Sequence, residues 1–456
     1  MKTIQIKMLF VAVFFGALFT LLYSCDNTNA TNNESAANTK NIDQEKKVLP
    51  QVLIRTGALS ESEEWQKTIV AVAKVNQRIE KNPNDYKARI ILAEIFINEA
   101  RITGEHGYYY PAILKILNGL LANDNIGQEV KFNALSLKSA VLLSLHQFQQ
   151  AKEVAEQAVK INPDNAQIYG ALTDANVELG NYEEAVQMAT KMMDLRPDLL
   201  SYSRASYLRE IYGDPNGAIE AMKLAVESGF PGFENMAWSR LTLGNIYENN
   251  GNLTEAEMQY RIALEERPGY PFAIAALASV ERKKGNLAEA EKLLNTAIEI
   301  IPEVSFYVDL ASVYQQTGRE QKAKETIEEI KAMMADDEAN GHDMSLEYAR
   351  VFIDLKKDYK SALAKAMGVY EKRPANIDVN KLMAEIHMHL NNIEKAEEHL
   401  AVAMRTNSQD YALLMIASKI YEKQGNKELA MQMKKKSMEI NPYQENKIFA
   451  QKQVLN

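Results

Sequence analysis

One cysteine, Cys25, is all that this chain of 456 residues contains, so it has no intramolecular disulfide framework and no pair of thiols for metal or redox work. Tryptophan is almost as scarce, at 2 residues. Beyond residue 25 no stretch is long and apolar enough to cross a bilayer, which takes about 20 residues. No Gly-x-x-x-x-Gly-Lys-Ser phosphate loop, Gly-x-Ser-x-Gly elbow or zinc-helix motif occurs. The sequence therefore motivates no catalytic residue and no cofactor. Basic charge is in deficit, with 52 Lys and Arg against 61 Asp and Glu and a net charge of −9. Nucleic acid selects basic faces and is not an expected partner.

What the chain does have is a period. Pro163, Pro197, Pro231, Pro268, Pro302, Pro374 and Pro442 are separated by 34, 34, 37, 34, 72 and 68 residues, and a period near 34 residues marks stacked helix-turn-helix units. The unit at 237–270 is the clearest, with Arg240, Leu243, Gly244, Tyr247, Gly251, Ala256, Tyr260, Ala263 and Pro268 at successive signature positions. Its neighbour at 271–303 has Ile274, Leu277, Ala278, Gly285, Ala290, Leu294, Ala297 and Pro302. The register runs through units at 132–165, 166–198, 304–338, 343–376, 377–410 and 411–444. Two units are irregular: 199–232, turning at Tyr212 to Gly217, and 86–122, where Gly104 to Pro111 lengthens the turn.

Small residues such as Gly244, Ala256, Ala263 and Ala290 are expected where two helices cross closely. Gly180, Gly251, Gly285, Gly318 and Gly425 are expected to end first helices in the left-handed conformation. No hairpin can bury its apolar stripe alone, so the units must stack into one rod. On these residues the chain resembles the tetratricopeptide-repeat (TPR) family. The resemblance implies an all-α, right-handed superhelical solenoid of about ten repeats over 86–444, whose first helices line a concave groove for a peptide or partner helix. Ahead of it, 49–85 reads as an N-terminal helical segment, with Ser60 and Glu63 as a capping box. Residues 445–456 read as a polar cap around Ile448 and Phe449.

The N-terminus supplies the compartment. Lys2 and Lys7 precede the apolar run Met8–Leu22, which ends in Leu22-Tyr23-Ser24-Cys25, a secretory signal over 1–24. Leu-x-Ser-Cys after such a run resembles the lipobox of bacterial lipoproteins, which implies acylation of Cys25 and anchoring in the cell envelope, at the outer membrane. The polar stretch 25–48 lacks hydrophobic periodicity and reads as a disordered tether.

Candidate ligand sites are few. Asp336, Glu338, Asn340, Gly341 and Glu347 fall at positions 1, 3, 5, 6 and 12 of an EF-hand-like loop, but Met344 supplies no oxygen at position 9, and a plain acidic inter-repeat loop is the preferred reading. His387, His389 and His399 form a histidine cluster read as solvated surface groups, since i and i+2 diverge on a helix. Tyr108-Tyr109-Tyr110-Pro111 reads as aromatic capping of a hairpin core.

The family register places Tyr207, Glu210, Trp238, Leu241, Asn245, Glu248, Phe272, Ser279, Arg282, Val308 and Gln315 on the groove wall. Trp238 and Phe272 are expected side by side there, with packing between repeats as the alternative role. The function implied is a non-enzymatic, membrane-anchored scaffold that binds a protein or peptide partner. The alternative is a glycan- or nutrient-binding helical-repeat lipoprotein of the cell surface.

Overall fold

The computed structural model describes residues 50–444. The signal, Cys25, the tether and the segment around Ile448 and Phe449 lie outside them. A short helical turn, Gly57–Ser60, leads into the helix Glu63–Lys81. Ser62, not Ser60, caps that helix, its side chain accepting from the Trp65 amide. Ser60 ends the preceding turn instead, because a cap must sit immediately before the first helical residue.

Ten helical hairpins follow. They pair Tyr86–Thr103 with His106–Leu121, Gln128–Ser144 with Phe148–Ile161, Ala166–Leu179 with Tyr182–Leu195, Leu199–Ile211 with Pro215–Glu227, and Glu234–Asn249 with Leu253–Glu266. The next five pair Pro271–Lys284 with Leu287–Ile300, Val304–Gln316 with Glu320–Ala339, Ser345–Val351 with Tyr359–Lys372, Ile377–His389 with Ile393–Ala403, and Tyr411–Lys423 with Lys427–Ile440. In the first unit the expected long turn is only Gly104 and Glu105, since the tyrosine run is already helical.

The two helices of a unit have different sequences because they have different surroundings. Phe148–Ile161 buries one stripe, Phe148, Ala151, Ala155 and Ala158. Ala166–Leu179 buries residues nearly all round, from Ile168 and Tyr169 to Asn176 and Glu178. A helix with a single apolar stripe has one face in solvent, whereas a helix buried all round lies inside. The first helices thus form the inner layer and the second helices the outer. Small residues set the spacing between them: a methyl group added to Gly244 would lie 2.3 Å from Cε1 of Tyr260.

Every turn between the paired helices contains one residue with positive φ. Glycine takes it in seven units, at 104, 180, 213, 251, 285, 318 and 425, and His146, Lys357 and Asn391 take it in the other three. In the Lys357 unit the first helix ends in a π-helical turn, Phe352–Lys356.

Successive turns of the superhelix touch one another. The ends of first helices abut inter-repeat segments about 190 to 200 residues later in the chain, a little under six units. His146 Nδ1 lies 3.1 Å from the Asp343 carbonyl. Asn376 Nδ2 donates to the Glu178 carbonyl at 2.9 Å, the Ile377 amide donates to the Tyr182 hydroxyl at 2.9 Å, and Arg373 pairs with Glu178 at 2.6 Å. One unit on, Gly213 abuts Asn407, and the left-handed turn glycine of the following unit, Gly251, abuts Ile440 and Pro442. There Asn441 Nδ2 donates to the Glu248 carbonyl at 3.0 Å. At Gly180 an added methyl group would lie 2.4 Å from the carbonyl carbon of Ala375. Glycine there serves both the left-handed turn and the seam between turns of the coil.

Candidate functional site

Two of the cavities among the described residues are lined by residues of the inner wall. The first, about 130 Å³, is bounded by Arg101, His106 and Tyr110 of the first unit, His146 of the second, Glu234, Trp238 and Leu241 of the fifth, Tyr270 and Phe272 of the sixth, and Glu303, Asp337, His342 and Glu347 around the seventh. Two successive turns of the superhelix therefore supply its opposite walls. Trp238 and Phe272 reach the same chamber, as their shared register position implies. Tyr207 does not; it packs with Tyr182, Leu208 and Ile377 at the seam between turns.

Charge in the chamber is unevenly matched. Arg101 pairs with Glu234. Burial pushes the Glu303 carboxyl up to about 8, and the charge of Asp337 adds to the effect. Asp337 is raised to about 6 by burial, then by Asp336 and Glu347. Oε2 of Glu347 and Nδ1 of His342 have no hydrogen-bond partner among the described residues. Burial lowers His106 to about 4 and, with His146 and His106 adding, His342 to about 2, so both rings are neutral at pH 7. No group of three or more histidine, cysteine, aspartate or glutamate side chains among the described residues is arranged to hold a metal ion.

The remaining groove positions lie further along the inner wall. Glu248 is buried at 1 % exposure, held by Lys283 Nζ at 2.7 Å, by the Ser279 hydroxyl at 2.6 Å and by the Tyr260 hydroxyl at 2.7 Å. Burial pushes its carboxyl up, but Lys283 and the hydroxyl donors outweigh that and hold it below the ordinary carboxylate value. Asn245 is exposed, its side-chain amide 2.7 Å from the Tyr260 hydroxyl. Arg282 and Gln315 line the second cavity, of about 260 Å³, with Val308. There Arg282 pairs with Asp309 at 3.1 Å and Gln315 Nε2 donates to the Leu355 carbonyl at 2.8 Å.

Segments matching tetratricopeptide-repeat family profiles cover residues 142–209, 241–305, 304–333 and 355–420. These are tetratricopeptide repeats. The ten hairpins are stacked copies of that unit, and the wall described above is the inner face of a TPR solenoid. No curated protein matches the chain in sequence. Among solved structures it is similar to human IFIT1 in a dimer with PPP-AAAA, at 15% identity over 83% of this chain and 90% of that one, with a TM-score of 0.42. It is also similar to TTC0263, a thermophilic TPR protein of Thermus thermophilus, at 20% identity over 43% of this chain and 98% of that one, TM-score 0.37. PilW, a type IV pilus biogenesis factor, is similar at 16% identity over 44% and 92%, TM-score 0.37.

The other sequence-level candidates resolve differently. Asp336 and Glu338 lie on the TPR helix Glu320–Ala339 rather than in a loop, and a helix does not alternate side chains around a central ion. The histidine cluster is not solvated: His387 is 4 % exposed and stacks on His399 with ring centroids 5.5 Å apart, while His389 stacks on Tyr359 at 4.2 Å. The inner helices of a TPR stack are buried on both sides, so i and i+2 both meet protein. In the tyrosine run, Tyr109 is fully buried and its hydroxyl accepts from the Leu53 amide at 3.0 Å, whereas Tyr110 faces the chamber. Glu303, Asp337, His106 and His342 had no signal in the sequence, because only the coil brings them together.

Proposed function

We propose that this chain is a non-enzymatic scaffold, anchored in the bacterial cell envelope by a lipid on Cys25, that holds a protein or peptide partner along its inner wall. The observation that carries this reading is the convergence of Trp238, Leu241 and Phe272 on one chamber of the concave face. Large aromatic side chains beside a cavity are the usual anchors of an interface. The net charge of −9 favours a protein over a nucleic acid as partner. A nutrient-binding lipoprotein would carry its ligand in irregular insertions, and the described array is close to regular throughout.

The test is affinity capture of envelope proteins by the wild-type chain and by a Trp238→Ala, Phe272→Ala double variant. Loss of a captured protein with the melting temperature unchanged supports the reading. Full retention by a folded double variant removes it. Acylation is tested separately, since Cys25→Ser should move the protein from the membrane to the soluble fraction.

A further inference from the structure

The chamber's chemistry identifies what part of a partner it takes. Three carboxyl groups, those of Glu303, Asp337 and Glu347, have no ion-pair partner among the described residues, and Arg101, the one arginine or lysine that lines the chamber, pairs with Glu234. These acids are half-buried, and taking a carboxyl group out of water without a partner is costly unless something compensates it. The rings of Trp238, Phe272 and Tyr270 line the same chamber, and aromatic faces attract cations. The size of the cavity is informative too. About 130 Å³ is far more than a single water needs, yet small beside a site for a drug-sized molecule.

We propose that this chamber is a receptor for an organic cation, an ammonium or guanidinium group on a short apolar stem. The stem lies against Trp238 and Phe272, and the charged head reaches Glu303 and Asp337. Nδ1 of His342 and Oε2 of Glu347, both unpartnered among the described residues, give the head further hydrogen-bonding positions; Glu347 accepts from it directly. The neutral rings of His106 and His342 do not compete for the acids. Because the walls come from two turns of the coil, a bound cation also ties those turns together. This inference rests on the partner-binding reading of the same wall and specifies it. The head group can belong to a lysine or arginine of the partner or to a free small amine.

The full-length chain in mild detergent would be titrated with n-butylamine and, separately, with its neutral counterpart n-butanol, following tryptophan fluorescence. Trp65 and Trp238 are the two tryptophans, so a Trp65→Phe variant isolates the chamber signal. Saturable quenching by n-butylamine but not by n-butanol is expected, with Glu303→Gln and Asp337→Asn each weakening it by about tenfold or more. Two variants are used so that poor folding of one does not decide the matter. Equal response to amine and alcohol, or unchanged affinity in both variants, overturns the proposal.

Acetylated decapeptides with one central lysine or norleucine distinguish the sources. Tighter binding of the lysine peptide than of n-butylamine assigns the head to a partner side chain, and the reverse order assigns it to a free amine. If amines fail while capture still depends on Trp238 and Phe272, the cation receptor falls and the scaffold stands. If amines bind while the double variant captures every partner, the scaffold reading falls alone.

Discussion

Replacing Gly180 by alanine separates two roles that one glycine combines. Its φ is 82°, a conformation that costs an L-residue about 1–2 kcal/mol. The added methyl group would also lie 2.4 Å from the carbonyl carbon of Ala375 and 2.5 Å from its oxygen. Those are backbone atoms that cannot rotate away, so the two turns of the coil must move apart, an overpacking cost of about 1–3 kcal/mol. Separation also loosens the Asn376 hydrogen bond to the Glu178 carbonyl and the Arg373–Glu178 pair.

Gly318 is the control. Its φ is 72°, and an added methyl group meets nothing within 4 Å. Gly318→Ala should therefore show the conformational cost alone, and Gly180→Ala about 2–5 kcal/mol in total. Hydrogen exchange reads the difference by location. Gly180→Ala should lower protection around 176–182 and also around 373–378, nearly 200 residues away, whereas Gly318→Ala should act only near its own turn. Equal destabilisation by both variants, or a Gly180→Ala effect confined to 166–198, would refute the contact between turns.

Gly244→Leu should collide with Tyr260, whose Cε1 already lies 2.3 Å from the site of an added methyl group, and lower stability by about 1–3 kcal/mol or more in denaturant titrations, with protection lost first around 234–266. Lys283→Met leaves Glu248 buried without its cation, at a cost of about 3–5 kcal/mol; adding Glu248→Gln should recover much of this in a double-mutant cycle. Glu303 keeps its proton in the folded chain up to about pH 8, against an ordinary value of 4.5, so the folded state binds more protons than the unfolded one in between. Its contribution is full below about pH 4.5 and is lost as pH rises through 8, and Glu303→Gln should flatten the fall in melting temperature measured from pH 6.5 to 8.

Much of the fold is legible in the sequence, for a definite reason. A repeat is stabilised by its own hairpin and its immediate neighbours, and those contacts recur at fixed spacing. Gly244 beneath Tyr260, the alanine stripe of Phe148–Ile161 and the left-handed glycines at 180, 251, 285, 318 and 425 are all consequences of local geometry, so the residues record them. Where the residue type departs from the rule, at His146, Lys357 and Asn391, the same left-handed turn persists. There the stacking of neighbours imposes a conformation that the side chain alone would not select. The π-helical turn before Lys357 had no sequence signal for the same reason.

The sequence by itself thus determined the unit, its period, the number of hairpins and the identity of the inner helices. Only the tertiary structure decided how the coil closes on itself. Each unit is rotated slightly against the last, and that small angle, summed over nearly six units, brings Gly180 to Ala375, His146 to Asp343 and Gly251 to Ile440. No 34-residue pattern encodes such a sum, since contacts between turns join different positions of different repeats. The chamber is its product: Trp238 and Phe272 could be placed on the inner wall from their register, but Glu303, Asp337 and His342 face Arg101 and His106 only because two turns meet there.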